Sequence, residues 1–432
     1  VLPPVVKREM KIRFVRLLLS SWILLVSANE PERCQKDSEV LSIFENWIQS
    51  SDLPVNKLRV KEIPGYRMGT VATEAIKKGE LYISVPEDLM IGPERYNPGT
   101  PFDRLLSVVQ QNSTTDIFRV LDSKSLIIIF LLLEKHMVQN STFKPYLDIL
   151  PKNLTLPMFF THQQLLALQG SEVADAGREE KRKAKAIYQK VRETVFQARR
   201  DIFPRKKFTQ AEWLWATALY DSRVIQLNRH AGRGNVPTFI PLIDMVNCRE
   251  SQDKTFIIFN PETRTADMYA DADFAAGEQV FETYGNKSNF EYLLYNGFVM
   301  EDNPNDCVYI TFQDQPSTMR DPNKKPLRPL RLCLGTRELP VKVKQWGLAM
   351  EVMYQAPGEG KRFLVDFILQ KLAKYATTVE EDTAELERLR SRERGDPPTM
   401  LAIQMRRHEK VTLRAVVDKL RSGAWDCCNS IS

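Results

Sequence analysis

The sequence predicts an α+β protein: a β-rich module drawn from two distant stretches, split by a helical insert and followed by an all-helical C-terminal domain. Three observations carry this reading. First, Leu81, Ile83 and Val85 alternate with Tyr82 and Ser84, the period of a strand, and Pro86 closes the run. Second, the turn before that strand, Lys78-Gly79-Glu80, has a counterpart far downstream, where Ala276-Gly277-Glu278 precedes Val280 and Phe281. Third, an apolar run of eight residues at 126–133 ends in Glu134 and Lys135, as a buried helix would. After residue 305 helical spacing returns, in Val365, Ile368, Leu369 and Leu372 and in Leu413, Val416, Val417 and Leu420.

Taken in order, the chain opens with a segment of its own. From Met10 it reads Lys11, Arg13 and Arg16, then a nearly continuous apolar stretch at 17–26, then Ser27-Ala28. A basic start, a short apolar core and a small-residue end describe a signal peptide over 10–28, too short to span a bilayer comfortably. Asn112-Ser113-Thr114, Asn140-Ser141-Thr142 and Asn153-Leu154-Thr155 are glycosylation-type sequons. The helical insert is expected over about 100–215. Within it Ile187, Val191, Val195 and Ala198 fall on one helical face, and Thr209-Gln210-Ala211-Glu212 has the capping-box pattern. Phe256 to Phe259 and Thr265 to Tyr269 read as a hairpin around Asn260-Pro261-Glu262. Residues 316–329 read as a linker, and the charged run 380–394 as a solvated helix face.

Composition narrows the function classes. A chain of 432 residues with 43% hydrophobic content can build two or three cores. The net charge of +6 is thinly spread. The basic runs at 181–185 and 205–207 lack an aromatic-rich stripe, so no nucleic-acid footprint is expected. The six cysteines (Cys34, Cys248, Cys307, Cys333, Cys427, Cys428) form no CxxC framework, and the four histidines (His136, His162, His230, His408) are scattered. Neither set has zinc-ligand spacing, so no metal is expected.

Two segments concentrate the chemistry. Pro237 and Pro241 hold an extended stretch that ends in Ile243-Asp244-Met245-Val246-Asn247-Cys248, with two polar side chains at the end of an apolar run. Downstream, a strand-like run at 279–283 delivers Tyr284 to a turn with Gly285, and a short helix follows through Asn296-Gly297-Phe298. Pro-Leu-Ile-Asp-Met-Val-Asn-Cys, with Tyr-Gly-x-x-Ser-Asn and Tyr-Asn-Gly-Phe, resembles the SET-domain methyltransferases of the Rubisco large-subunit methyltransferase type, which include protein-lysine enzymes and the actin-histidine enzyme. Residues 65–73 are similar to the family's first cofactor-binding turn, and residues 144–151 to its insert. Residues 377–382 and 400–406 are similar to its C-terminal substrate-binding domain. The likeness runs from about 60 to 422, in the family's order.

The resemblance implies a SET catalytic domain over 60–300 and a substrate-binding domain over 310–425. It implies S-adenosylmethionine as cofactor, with Arg67, Met68, Gly69, Arg223, Asp244, Met245, Val246, Asn247, Cys248, Asn296, Gly297 and Phe298 around it. Tyr284 would be the catalytic residue. Glycine at 69 and 297 would keep side chains away from the ligand. Histidine-methylating relatives carry asparagine after the Arg223 equivalent and tryptophan before the Asp244 equivalent. Here Val224 and Ile243 stand at those pocket positions, which implies a protein-lysine substrate outside the histones. Because that choice turns on these two positions, a histidine methyltransferase of the actin type remains one alternative. The family usually has histidine where this chain has Cys248, so a non-catalytic SET-fold binding module remains the other. A monomer is expected, with a protein partner, no nucleic acid and no integral membrane segment once the leader is removed. Relatives work in cytosol, nucleus or plastid. The leader-like segment instead implies secretory entry or a bipartite plastid address, although the Asn29-Glu30-Pro31-Glu32 that follows is acidic.

Overall fold

A computed structural model describes residues 29–423, apart from 97, 115, 138, 140, 230–233, 251–255, 313–329, 337–342, 346, 348–350, 352–354, 356–358 and 392–395. The leader-like segment 10–28, the linker 316–329, Asn140, His230, Arg394, Cys427 and Cys428 lie outside the described residues, as does the side chain of Cys34.

The first helix, α1 (Asn29–Gln49), buries Phe44 and Ile48 in the main core, so that core reaches back beyond residue 60. Four strands follow: β1 (Val55–Asn56), β2 (Leu58–Ile63), β3 (Arg67–Ala72) and β4 (Leu81–Pro86). The insert then supplies α2 (Pro101–Gln111), α3 (Ser123–His136), α4 (Lys144–Ile149), α5 (His162–Leu166), α6 (Val173–Val191) and α7 (Gln210–Arg223). The chain returns to strands with β5 (Ile225–Asn228), β6 (Asn235–Thr238), β7 (Asn247–Cys248), β8 (Phe256–Asn260), β9 (Thr265–Tyr269) and β10 (Gln279–Glu282).

The sheets combine the two stretches as expected. One runs β1-β4-β9-β8 and the other β2-β3-β10-β7, while β5 and β6 pair alone. In the second sheet β10 lies antiparallel to β3, with Val280 opposite Thr70, and parallel to β7, with Phe281 opposite Asn247. That pairing brings segments from both sides of the insert side by side, and it sets where residues 247–248 and 284 emerge. The predicted hairpin forms with Asn260 opposite Thr265.

The insert departs from its expected pattern in two places. The apolar run on α3 is buried as read, from Ile127 to Leu133. On α6, however, Ile187 is at the surface, and the buried face is Ala184, Tyr188 and Val191, continued by Val195. Tyr188 covers more apolar area than Ile187 and its hydroxyl finds the Phe208 carbonyl at 3.0 Å, so the helix rolls that edge inward. Thr209 caps α7 by accepting from the Glu212 N–H at 3.2 Å, but the Glu212 carboxylate turns to Lys135 and His136 instead of completing the box.

The C-terminal domain is not all-helical. It opens with an antiparallel ribbon, β11 (Cys307–Phe312) and β12 (Leu330–Gly335), and Cys307 is bonded to Cys333. Val308, Ile310, Leu332 and Leu334 point from the ribbon into a core shared with α9 (Gly360–Leu372) and α11 (Pro397–Arg421). Apolar residues alternate through both strands, with Cys307 first in β11 and Cys333 inside β12. On α9 the buried stripe is Leu364, Val365 and Ile368, with Leu369 exposed; on α11, Leu413, Val416, Val417 and Leu420 are all buried. The charged helix α10 (Val379–Arg390) is solvated on one side only. Asp382 is fully buried between Arg406 at 2.7 Å and Lys410 at 2.6 Å.

A third apolar cluster joins this domain to the β-rich module and its insert. It combines Leu168, Val173 and Ala174 of the insert, Phe290, Leu293 and Leu294 after Tyr284, and Ala402 and Met405 of α11.

Candidate active site

A cavity of about 960 Å³ opens where the first turn, the insert, the 244–248 segment, the 296–298 turn and α11 meet. Its size is at the upper end of small-molecule pockets.

The first turn is built on strained backbone. Gly65 and Arg67 both have positive φ, +84° and +64°. For arginine this costs stability and persists only where surroundings hold it. Here the Arg67 guanidinium donates to the Ile149 carbonyl at the end of α4, at 2.9 Å, which ties the turn to the insert. Met68 lies buried beneath and lines the cavity.

The second segment is anchored through Asp244. Leu242 takes a left-handed φ of +73° and tips a 3-10 turn, Ile243–Met245, so that Asp244 is buried at the cavity wall. The Tyr146 hydroxyl donates to Asp244 Oδ2 at 2.7 Å. Arg223, the last residue of α7, donates to the Asp244 carbonyl at 2.9 Å and to Oδ2 at 3.2 Å. Burial raises the Asp244 carboxyl above its ordinary pKa, and Arg223 and Tyr146 pull against that rise. Asp244 Oδ1 is buried with no hydrogen-bond partner. Arg223 is thus both an ion-pair partner and part of the cavity wall.

Asn247 donates from Nδ2 to the Met68 carbonyl at 3.0 Å. A Cβ on Gly69 would sit 2.5 Å from that Nδ2. Glycine at 69 is therefore explained by the close approach of Asn247, and Gly69 itself does not line the cavity. The same correction applies to Gly297. Its φ is +81°, which suits glycine at the end of a helix, and a Cβ there would meet Thr155 Oγ1 at 2.8 Å. Thr155 uses that contact to donate to the Gly297 carbonyl, also at 2.8 Å. Both glycines make room for protein atoms, and Gly297 also lines the cavity.

Tyr284 lies two residues past the end of β10, and Gly285 with φ +91° turns the chain away. The Tyr284 hydroxyl donates to the Val246 carbonyl at 2.8 Å, so one hydrogen bond joins the two motif segments. Burial, reinforced by Glu282, pushes the phenol well above its ordinary pKa, so it stays neutral. Beyond it α8 (Asn289–Glu291) opens with a complete capping box on Ser288. The helix continues as a π turn, Tyr292–Asn296, which closes on Gly297 through its N–H to the Tyr292 carbonyl at 2.8 Å. The π turn points Asn296 at the cavity, where Nδ2 donates to the Ser222 carbonyl at 3.1 Å and Oδ1 accepts from Lys287 at 3.2 Å. Phe298 stacks on Tyr292 with centroids 4.8 Å apart.

The remaining expected positions are less exposed to the cavity. Cys248 lines it as a buried free thiol pushed up to about 11 by burial, with Sγ 3.8 Å from the Tyr292 hydroxyl. A thiol so protonated is no nucleophile. Val246 contributes its carbonyl to Tyr284 but no cavity wall, Ile243 is fully buried in the core, and Val224 packs half-buried against it. Among the described residues, no cluster of histidine, cysteine and carboxylate side chains has metal-binding geometry.

Two parts of the wall were not foreseen. Residues 153–156 of the insert line it, and Asn153-Leu154-Thr155 had been read only as a sequon. On the far side, Pro397, Met400, Leu401 and Gln404 of α11 face the same space, beside Met300 and Glu301. The signal for the second was the polar Gln404 on an otherwise apolar stripe.

Comparison with known proteins places this geometry. Residues 359–413 match the family model described as Rubisco LSMT substrate-binding. The crystal structure of the SET domain of LSMT bound to lysine and AdoHcy superposes with a TM-score of 0.67 at 20% identity, covering 90% of this chain and 92% of that one. The structure of Rubisco LSMT bound to AdoMet gives the same TM-score and identity over 89% and 92%. By sequence, the chain is 25% identical over 289 residues to the actin-histidine N-methyltransferase of Drosophila melanogaster, covering 62% of this chain and 50% of that protein. It is 28% identical over 273 residues to that of Xenopus tropicalis, covering 61% and 44%. The chain spans about half the length of these curated relatives. Its fold is the SET fold in the form seen in Rubisco LSMT, with a helical domain of the substrate-binding type behind it.

Proposed function

We propose that this chain is a protein N-methyltransferase that uses S-adenosylmethionine and acts on a lysine side chain. The observation that carries the proposal is the Tyr284–Val246 hydrogen bond at the wall of the cavity, because it sets a neutral phenol beside the Asp244–Cys248 segment.

The residues present fit the cofactor. Asp244 keeps one buried carboxylate oxygen without a partner, Asn247 and Asn296 add amides, and Met68, Met245 and Phe298 add apolar wall. Arg67 joins them at the first turn, Gly69 and Gly297 set the backbone on either side, and Val246 and Cys248 complete the central segment. When bound, S-adenosylmethionine supplies a methyl group on a positively charged sulfur. The protein's share is alignment and desolvation. Tyr284 has committed its proton to Val246, so its oxygen can accept an N–H from the incoming amine and turn the nitrogen lone pair. A lysine in water has a pKa of about 10.4; an apolar channel and a nearby positive charge both lower it, which makes the neutral amine available.

The choice of lysine rests on the resemblance at Val224 and Ile243, which offer no amide or indole to hold an imidazole; neither side chain lines the cavity. A second reading, histidine as the target, is favoured by the actin-histidine N-methyltransferases among the relatives. The test is transfer of labelled methyl from S-adenosylmethionine to proteins of an extract, with the modified residue located by mass spectrometry. Methyl-lysine, with Tyr284→Phe slower by roughly 100-fold or more, supports the proposal. Methylation found only on histidine selects the second reading. No calorimetric binding of S-adenosylhomocysteine to the folded chain would leave a protein-binding module instead.

A further inference from the structure

Two covalent features lie away from the cavity and are independent of the methyltransferase reading. The β11–β12 ladder sets Cys307 opposite Gly335 and Tyr309 opposite Cys333, so the two cysteines are diagonal neighbours. Their Cα atoms are 5.3 Å apart, within the span a disulfide bridges, and their sulfurs are joined. Both sit half-buried on the face opposite Val308, Ile310, Leu332 and Leu334. The bond closes the ribbon at the base of the C-terminal domain, next to Asp306, which accepts from the Asn289 backbone at 2.9 Å.

The other feature is Asn112-Ser113-Thr114. Asn112 and Thr114 are exposed at the C-terminal end of α2, and neither lines the cavity. Asn153, in a second sequon, does line it, so an oligosaccharide there would stand in the cavity mouth. Disulfides persist in oxidising compartments, and the sequon is an acceptor only in a chain that enters a lumen. The leader-like run at 10–28 is in keeping with both.

We propose that this chain matures in an oxidising, N-glycosylating lumen, where Cys307 and Cys333 are joined and Asn112 takes an oligosaccharide. The first step is thiol–disulfide exchange with a protein disulfide donor. One S–S bond forms, the two thiols give up two protons and two electrons, and the donor leaves as a dithiol. In the second, the Asn112 amide nitrogen bonds the anomeric carbon of an oligosaccharide carried on a lipid pyrophosphate. The sugar–phosphate bond breaks, the lipid pyrophosphate departs, and the amide loses one proton.

The test uses the full chain expressed in a eukaryotic cell, lysed into an alkylating agent without reduction. Mass spectrometry should find a single linked species carrying Cys307 and Cys333, absent from Cys333→Ser. Treatment with an N-glycosidase should lower the apparent mass of the wild-type chain, and lower that of Asn112→Gln by one oligosaccharide less. Alkylation of both Cys307 and Cys333 overturns the proposal. So does a wild-type mass that the glycosidase does not alter, or an Asn112→Gln chain that loses as much mass as the wild type.

Discussion

Two buried aspartates, one on each side of the domain junction, show how the same residue type serves different ends. Asp382 on α10 accepts from Arg406 and from the Thr377 hydroxyl on Oδ1, and Lys410 stands 2.6 Å from Oδ2. Every charge in that group faces another, and Lys410 donates its remaining protons to the Thr377 and Thr378 carbonyls. Asp244 accepts from Tyr146 and Arg223 on Oδ2 alone; its Oδ1 is buried with neither a hydrogen-bond nor an ion-pair partner, in a residue that lines a cavity. A closed buried network holds two helices together. A network left one bond short at a cavity keeps a place for a ligand, because a buried acceptor without a partner is costly until something fills it.

Breaking the closed network should have the largest effect. Asp382→Ala leaves Arg406 and Lys410 buried without their counter-charge, and we expect a loss of about 3–5 kcal/mol in chemical denaturation. The folded fraction should bind S-adenosylhomocysteine as the wild type does; weakened binding there would blur the contrast between the two aspartates.

A pH series sharpens the comparison with a third buried acid at the same junction. Glu409 on α11 accepts from Ser171 of the insert and from Tyr375, both at 2.9 Å, and burial raises its pKa to about 7. Lys371 opposes that rise, and Asp306 adds to it. The folded state therefore holds a proton that the unfolded chain releases near the ordinary glutamate value. Stability from this group is greatest below that value and is lost as pH rises from about 4.5 to 7, by up to about 3 kcal/mol. Denaturation midpoints measured across this range should fall with pH, and Glu409→Gln should flatten that component of the slope. An equal slope in the variant would assign the pH dependence elsewhere.

The cavity-side test is smaller in energy and sharper in meaning. Asp244→Asn keeps the shape and an acceptor for Tyr146 while removing the charge. Its dissociation constant for S-adenosylhomocysteine should rise about tenfold, equivalent to about 1.4 kcal/mol, with a smaller stability loss than Asp382→Ala. Wild-type affinity in calorimetry would show that the unpartnered oxygen of Asp244 is not a ligand contact. Smallest of all, Ile187→Ser should change stability by no more than about 0.5 kcal/mol, because that side chain faces solvent. A thermal-melt change several times larger would mean that the helix is rolled the other way.

The local elements were legible before the structure. The β4 alternation, the α3 apolar run, the 256–269 hairpin, the Thr209 cap and the α11 stripe each follow from periods of two or 3.6 residues and from cap chemistry acting within a few positions. Where two residues of similar pattern compete for one face, the period alone misleads. It put Ile187 and Leu369 inside, whereas Tyr188 and Leu364 took those places. The same limit hid the ribbon, since two strands with a long connection between them do not announce their pairing.

The sequence by itself determined the α+β class, several strand and helix segments, and the turn that ends in Tyr284-Gly285, because these are consequences of neighbouring side chains and of φ at glycine and proline. Only the tertiary structure decided that the Tyr284 hydroxyl meets the Val246 carbonyl, that Asn247 occupies the space beside Gly69, that Cys307 finds Cys333, and that α11 closes the cavity. These contacts join positions from 26 to more than 100 residues apart. Their geometry is set by how sheets, insert and C-terminal domain pack into shared cores, a property of the whole chain that no local period encodes.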